Sequence, residues 1–151
     1  MRALFVIGRA LFGGFFVYNG VNHFRHAESM QQYAASKGVP AAHRAVQATG
    51  ALLLTGGWSV ITGLKPREGL ATLIAFLVPT TLQMHRFWEI EDPQARQAEL
   101  TNFTKNVALV GAALALMQID EPWPVSVGEL RQGSEQMFVK LGNRELTALP
   151  A

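Results

Sequence analysis

The chain has 151 residues, 49% of them hydrophobic and 16% charged, with a formal net charge of +2 and no cysteine. Dispersed basic residues and so small a net charge exclude a nucleic-acid footprint. The missing cysteines exclude disulfides, thiolate nucleophiles, CxxC redox pairs and Cys-ligated zinc or iron–sulfur centres, so any redox role depends on a borrowed cofactor.

The apolar content is gathered into a few long runs, which fits one domain. The first begins after Met1-Arg2 and predicts a membrane helix over residues 3–22. A secretory signal is the rival reading, but Arg9 interrupts the apolar region and no small-x-small cleavage site follows before Asn22. At 100° per residue Arg9, Gly13, Phe16, Gly20 and His23 share a narrow sector, a polar and small-residue stripe expected to face neighbouring helices rather than lipid. A partner for Arg9 must come from an end residue such as Glu68 or Asp120, from backbone and Thr oxygens, or from an anionic lipid or ligand. The alternative is that Arg9 snorkels to the near interface.

Residues 25–44 read as a loop with a short interfacial helix from Glu28 to Lys37, stopped by Gly38. A second membrane helix is expected from Ala45 to Leu64, free of formal charge and carrying Gly50, Gly56, Gly57 and Gly63 for close packing. Lys65-Pro66-Arg67-Glu68 is a tight connection that makes helices two and three antiparallel neighbours. The third run, 69–86, has no Asp, Glu, Lys or Arg before it reaches His85-Arg86-Phe87-Trp88-Glu89. Asp92-Pro93 supplies an N-cap and a first-turn proline for a long fourth helix, crossing over 100–119. The tail from Asp120 shows Ser126-x-x-Glu129, a capping-box pattern, then Leu130, Met137, Phe138 and Leu141 on one side with Gly142 as the end. Asn143 to Ala151 is expected to fray.

The predicted fold is all-α: a four-transmembrane-helix bundle over 1–119, a short interfacial helix in its first loop, and a C-terminal amphipathic surface segment over 120–151. A soluble bundle would carry charge on its outer faces at every turn, and segments two and three carry none. Four crossings put both termini on one side. His23, His26, His43 and His85 then gather on the other, with Asn19, Asn22, Trp88, Glu89, Lys105 and Asn106.

Gly20-Val21-Asn22-His23-Phe24, Gly38-Val39-Pro40, Gly56-Gly57, His85-Arg86-Phe87-Trp88 and Phe103-Thr104-Lys105-Asn106-Val107-Ala108-Leu109-Val110-Gly111 occur in an order and spacing that resembles the DoxX family of small four-helix membrane proteins. The likeness covers about residues 1–119. The family takes its name from the small subunit of an archaeal thiosulfate:quinone oxidoreductase, and a similar protein occurs in a bacterial membrane-associated oxidoreductase complex. The resemblance implies a multi-pass protein of the bacterial inner membrane, in contact with the lipid bilayer. It further implies an accessory or anchoring role beside a soluble or membrane oxidoreductase partner, with homo-oligomers allowed.

The chemistry open to the histidine-bearing face is limited. His23-x-x-His26 with His43, His85 and Glu89 offers metal-ligand types, but the spacing is no metal signature, and no metal site is assigned. His85 and Glu89 stand at i and i+4 if helix three continues past Trp88, where a carboxylate would orient the imidazole. A quinone needs aromatic walls and a few oriented donors. Phe87, Trp88, Phe24 and Phe103 offer the walls, and His85, Lys105 and Asn106 the donors. The candidate cofactor-binding set is therefore His23, His85, Trp88, Lys105 and Asn106, with Arg9 as a separate intramembrane structural or ligand contact. The plainer reading is an aromatic belt with Lys105 snorkelling and Asn106 bonded to a neighbouring helix. No catalytic residue is assigned, and a non-catalytic scaffold or a carrier of a small molecule or protein are the alternative functions.

Basic residues nearly balance across the two faces, and the short basic second connection favours cytoplasmic termini. Because the chain has no cysteine, Ser36→Cys and Ser134→Cys label without background. The four-crossing topology requires labelling from opposite sides of intact cells, and equal labelling from one side refutes it.

Overall fold

The computed structural model describes residues 2–147, and all regular structure among them is helical. The elements are α1 (Arg2–Arg25), α2 (Ala27–Ser36), α3 (Ala42–Thr62), α4 (Pro66–Met84), a single 3-10 turn (Phe87–Glu89), α5 (Pro93–Leu116) and α6 (Val127–Thr147). α1 lies along α3, α3 against α4, and α4 against α5, with α2 laid across α3.

Glycine sets how closely the first two long helices approach. A Cβ on Gly13 would come within 2.6 Å of the Gly57 carbonyl oxygen, and one on Gly57 within 2.7 Å of the Gly13 oxygen. The backbones are therefore in direct contact, as small residues permit between membrane helices. The stripe predicted to face inward is the inner face of α1: Arg9, Gly13, Phe16 and Gly20 are its buried residues. On the same helix Leu4, Ile7, Leu11, Phe15 and Tyr18 are exposed and line the opposite side.

Leu70, Leu73 and Leu77 of α4 meet Phe16, Leu53, Val60 and Ala113 in one apolar cluster. Trp123 belongs to this cluster too, and it is fully buried. The chain after α5 thus returns to the bundle instead of leaving it. Ser126 is buried beside Gly63, whose φ of 65° closes α3 in the left-handed region that suits glycine. The Ser126 half of the capping box forms, with Ser126 Oγ accepting from Glu129 N–H at 3.1 Å, while Glu129 Oε2 reaches one residue further back and accepts from Val125 N–H at 2.6 Å.

Three expectations are corrected. α4 stops at Met84 rather than residue 86, because His85 leaves helical geometry at φ −118°, ψ 53°. α6 passes through Gly142 to Thr147, since one interior glycine costs only about 1 kcal/mol and does not by itself end a helix. The helix therefore occupies part of the segment expected to fray, and residues 148–151 lie outside the described part, as do the side chains of Phe138 and Leu141. Leu130 and Met137 are exposed, as a surface amphipathic helix allows.

Among the described helices only α1 has the length and composition of a membrane span taken alone, with a mean hydropathy of 1.5. The physical reason lies in composition. α3 and α4 dilute their Leu and Val with Gly, Thr, Ser, Gln and Pro, and α5 spends its first turns on polar residues. Their outward faces are nonetheless apolar: Leu52 and Trp58 on α3, Val78 and Leu82 on α4, and Val107 and Leu114 on α5 are all exposed.

The close contact gives a direct test. Gly57→Val should destabilise the detergent-solubilised protein by about 1–3 kcal/mol, as overpacking does. Gly111→Ala, where no atom lies within 4 Å, should leave the thermal midpoint unchanged or slightly raised.

Candidate functional site

The end of α4 and the start of α5 build a charged network that also holds the end of α2. Once α4 stops, the chain reverses through the 3-10 turn, and Asp92 caps α5 by accepting from Ala95 N–H at 2.7 Å. This reversal brings the second turn of α5 beside His85. Glu99 Oε2 lies 2.7 Å from His85 Nδ1, and Glu99 Oε1 accepts from Lys37 Nζ at 3.2 Å. Gln83 Nε2 donates to the Lys37 carbonyl at 2.8 Å, and Arg86 Nη2 donates to Gln83 Oε1 at 2.6 Å. Lys37 also sits 5.5 Å from the centre of the Tyr33 ring, within cation–π range.

The side chains of His85 and Glu99 are only 17% and 16% exposed, so the contact is partly desolvated rather than a surface one. Burial works against ionising Glu99, but the hydrogen bonds from His85 and Lys37 outweigh it and hold the carboxyl below its ordinary range. Burial likewise opposes the Lys37 charge, and Glu99 together with Tyr33 outweighs it, raising that ammonium above its ordinary value.

Beside this network Phe87, Trp88 and Phe103 pack edge to face, with ring centres 5.1, 5.4 and 6.0 Å apart. Trp88 remains half exposed.

The predicted residues separate into groups. His85 joins the network, and Trp88 the aromatic cluster. Asn106 is buried, 8% exposed, on the face of α5 that carries Glu99 and Ala113. Lys105 points elsewhere: it is exposed and donates to Asn102 Oδ1 at 3.2 Å. His23 has its Nδ1 2.8 Å from the Asn19 carbonyl and meets Phe76 edge-on. Among the described residues no hydrogen bond joins His23, Lys105 or Asn106 to His85.

The expected carboxylate partner of His85 is wrong by ten residues: with α4 ended, Glu89 pairs with Arg86 at 3.4 Å and Glu99 takes the imidazole. A signal for Glu99 exists, because Glu99, Asn106 and Ala113 recur at seven-residue spacing and share one face of α5. Arg9 lies at the other end of the molecule, 4% exposed, where its Nη2 donates to the Val125 carbonyl. Neither Glu68 nor Asp120 takes that role; Asp120 pairs with Arg67. Among the described residues no three His, Asp or Glu side chains come together as a metal site. A groove of about 450 Å³ between α1 and α3, lined by Val17, Leu54, Trp58 and their neighbours, touches no member of the network.

The network should govern stability at both ends of the pH scale. A lowered Glu99 pKa means stabilisation present above its unfolded value and lost as pH falls through the folded value. A raised Lys37 pKa means stabilisation complete below its unfolded value and lost as pH rises through the folded one. Glu99→Gln should cost about 1–2 kcal/mol near neutral pH and flatten the acid limb of a thermal-stability profile. An unchanged acid limb would show that the carboxylate is not coupled to folding.

The DoxX family model matches residues 4–86, from the start of α1 through His85 and Arg86 at the end of α4. No curated protein matches the chain, and no solved structure does. The matched stretch is more than half of the chain and ends inside the charged network. The chain belongs to the DoxX family, a family of membrane proteins.

Proposed function

We propose that this protein is a four-crossing accessory or anchoring subunit of a redox complex in the bacterial inner membrane, and that its His85 face receives a quinone. Four crossings are supported by the apolar outward faces of α3, α4 and α5, which have no place in water. The observation that carries the site is the His85–Glu99 contact at 2.7 Å beside the Phe87, Trp88 and Phe103 rings.

The residues present fit such a group. An ionised Glu99 holds the imidazole with Nδ1–H toward the carboxylate, which leaves Nε2 as the working nitrogen. In that state Nε2 accepts a hydrogen bond from a hydroxyl; once protonated, it donates to a carbonyl, and Glu99 steadies the positive charge. Lys37 keeps Glu99 ionised throughout. The half-exposed Trp88 provides a surface for a flat ring, and Asn106 a second polar group on the Glu99 face of α5. When bound, a quinone would supply proton-coupled two-electron chemistry to the oxidoreductase partner.

The scaffold reading has its own support, because the three rings pack on one another as an interfacial aromatic belt does. The two readings separate by fluorescence. Trp58→Phe and Trp123→Phe leave Trp88 as the single tryptophan of the three. A short-chain quinone should quench it saturably, and His85→Ala or Asn106→Leu should each weaken binding about tenfold, equivalent to one hydrogen bond of about 1.4 kcal/mol. Quenching that is linear in quinone and indifferent to both substitutions would favour the scaffold.

A further inference from the structure

A charge is buried within the bundle near the start of α1. Arg9 is 4% exposed, and no carboxylate oxygen of the described residues lies within 4.0 Å of it. Its Nη2 has the Val125 carbonyl, whereas Nε and Nη1 are buried without any acceptor. Glu129 acts on Arg9 only from a distance, with one carboxylate oxygen engaged by Val125 N–H. The guanidinium lies 5.9 Å from the Phe5 ring centre, and Phe5 meets Trp123 edge-on at 5.3 Å. Trp123 is fully buried, and its Nε1 also lacks an acceptor.

Three nitrogens at one end of the bundle thus bear hydrogens that nothing among the described residues accepts. All belong to donor-only groups, so no flip or tautomer satisfies them. Leaving a buried donor unpaired costs about 1–3 kcal/mol, and more when the group is charged. Water can satisfy the donors but not the charge. An oxyanion satisfies both.

The surroundings offer room and a second cation. Gly63 separates Arg9 from a cavity: a Cβ there would come within 2.8 Å of Arg9 Nη1, and the same residue lines a space of about 280 Å³ with Lys65, Pro122, Gly128 and Arg131, a space that Arg9 and Trp123 do not themselves line. The carboxylates on that space are already engaged, Glu135 by Arg131 at 3.1 Å and Glu121 by Arg67 at 4.0 Å. Lys65 makes no ion pair among the described residues. Arg9 lies seven residues into α1, roughly 10 Å along its axis at 1.5 Å per residue, near the boundary between headgroups and acyl chains.

We infer that the Arg9–Gly63–Trp123 end of the bundle binds an oxyanion of the phosphate class, with Arg9 and Trp123 as donors and Lys65 at the entrance. The chemistry is shared by the phosphodiester of an anionic lipid and by free phosphate. This site lies at the opposite end of the bundle from the quinone site and does not depend on it.

The test uses the full chain in nanodiscs. Thermal unfolding is compared in phosphatidylcholine alone, in phosphatidylcholine with phosphatidylglycerol, and in phosphatidylcholine with added inorganic phosphate at constant ionic strength. Stabilisation by phosphatidylglycerol only, at least tenfold weaker in Arg9→Gln and Trp123→Phe, supports the site with a lipid as its source. Stabilisation by inorganic phosphate with the same losses supports it with a soluble oxyanion. No stabilisation by either, or equal stabilisation in wild type and Arg9→Gln, overturns it. Should Arg9→Gln fail to fold, Trp123→Phe decides, because it keeps an aromatic ring and removes only the indole donor: undiminished stabilisation in that variant overturns the proposal.

Discussion

The contact between Gly13 and Gly57 fixes more than a distance. Two antiparallel helices that touch backbone to backbone at one point have a single register, and every other pairing along them follows. Four residues toward the N-terminus of α1, Arg9 is set against Gly63; seven residues toward its C-terminus, Gly20 is set against Gly50. At the far end the same register puts the His23 Cβ against Gly50, where a glycine Cβ would come within 2.9 Å of it. α4 then follows α3 through a second close approach, in which a Cβ on Gly56 or on Gly69 would come within 3.0 Å of the other's carbonyl oxygen. The two polar ends of the molecule are consequences of packing in its middle.

Those ends differ in how their charges are met. At the His85 end, one carboxylate has two cationic or imidazole partners from two other elements, so the network is internally complete. At the Arg9 end a cation has one backbone carbonyl. The first arrangement joins α2, α4 and α5; the second leaves a requirement that the described residues do not meet. Both lie where apolar sequence gives way to polar sequence, and there a buried ionisable group is costly unless it is paired.

Much of this was legible in the sequence because the governing rules are local. The Arg9, Gly13, Phe16 and Gly20 stripe follows from helical period alone, and the Asp92-Pro93 start and the Ser126–Glu129 box follow from capping chemistry. What was not legible depends on chain reversal. Glu99 meets His85 only because α4 stops at Met84 and α5 folds back, so the pairing assigned to Glu89 rested on a helix that does not continue. Trp123, surrounded by Pro122 and Pro124, reads as tail, and its burial is decided by where the chain returns after α5. Lys105 and Asn106 are adjacent in sequence, yet the 100° step puts one outward and the other inward. The lower hydropathy of α3, α4 and α5 has another origin: the small and hydroxyl residues that let helices pack also lower it.

The bond from Arg9 to Val125 also orders events in time. Its two ends are separated by 116 positions in the chain. At about 5–20 residues per second of synthesis, α1 is complete on the order of ten seconds before residue 125 exists. During that interval the cation of α1 lacks the carbonyl that will later hold it. The outward face of Leu4, Ile7, Leu11, Phe15 and Tyr18 is complete with α1 itself, whereas the cation is closed over by a segment made much later.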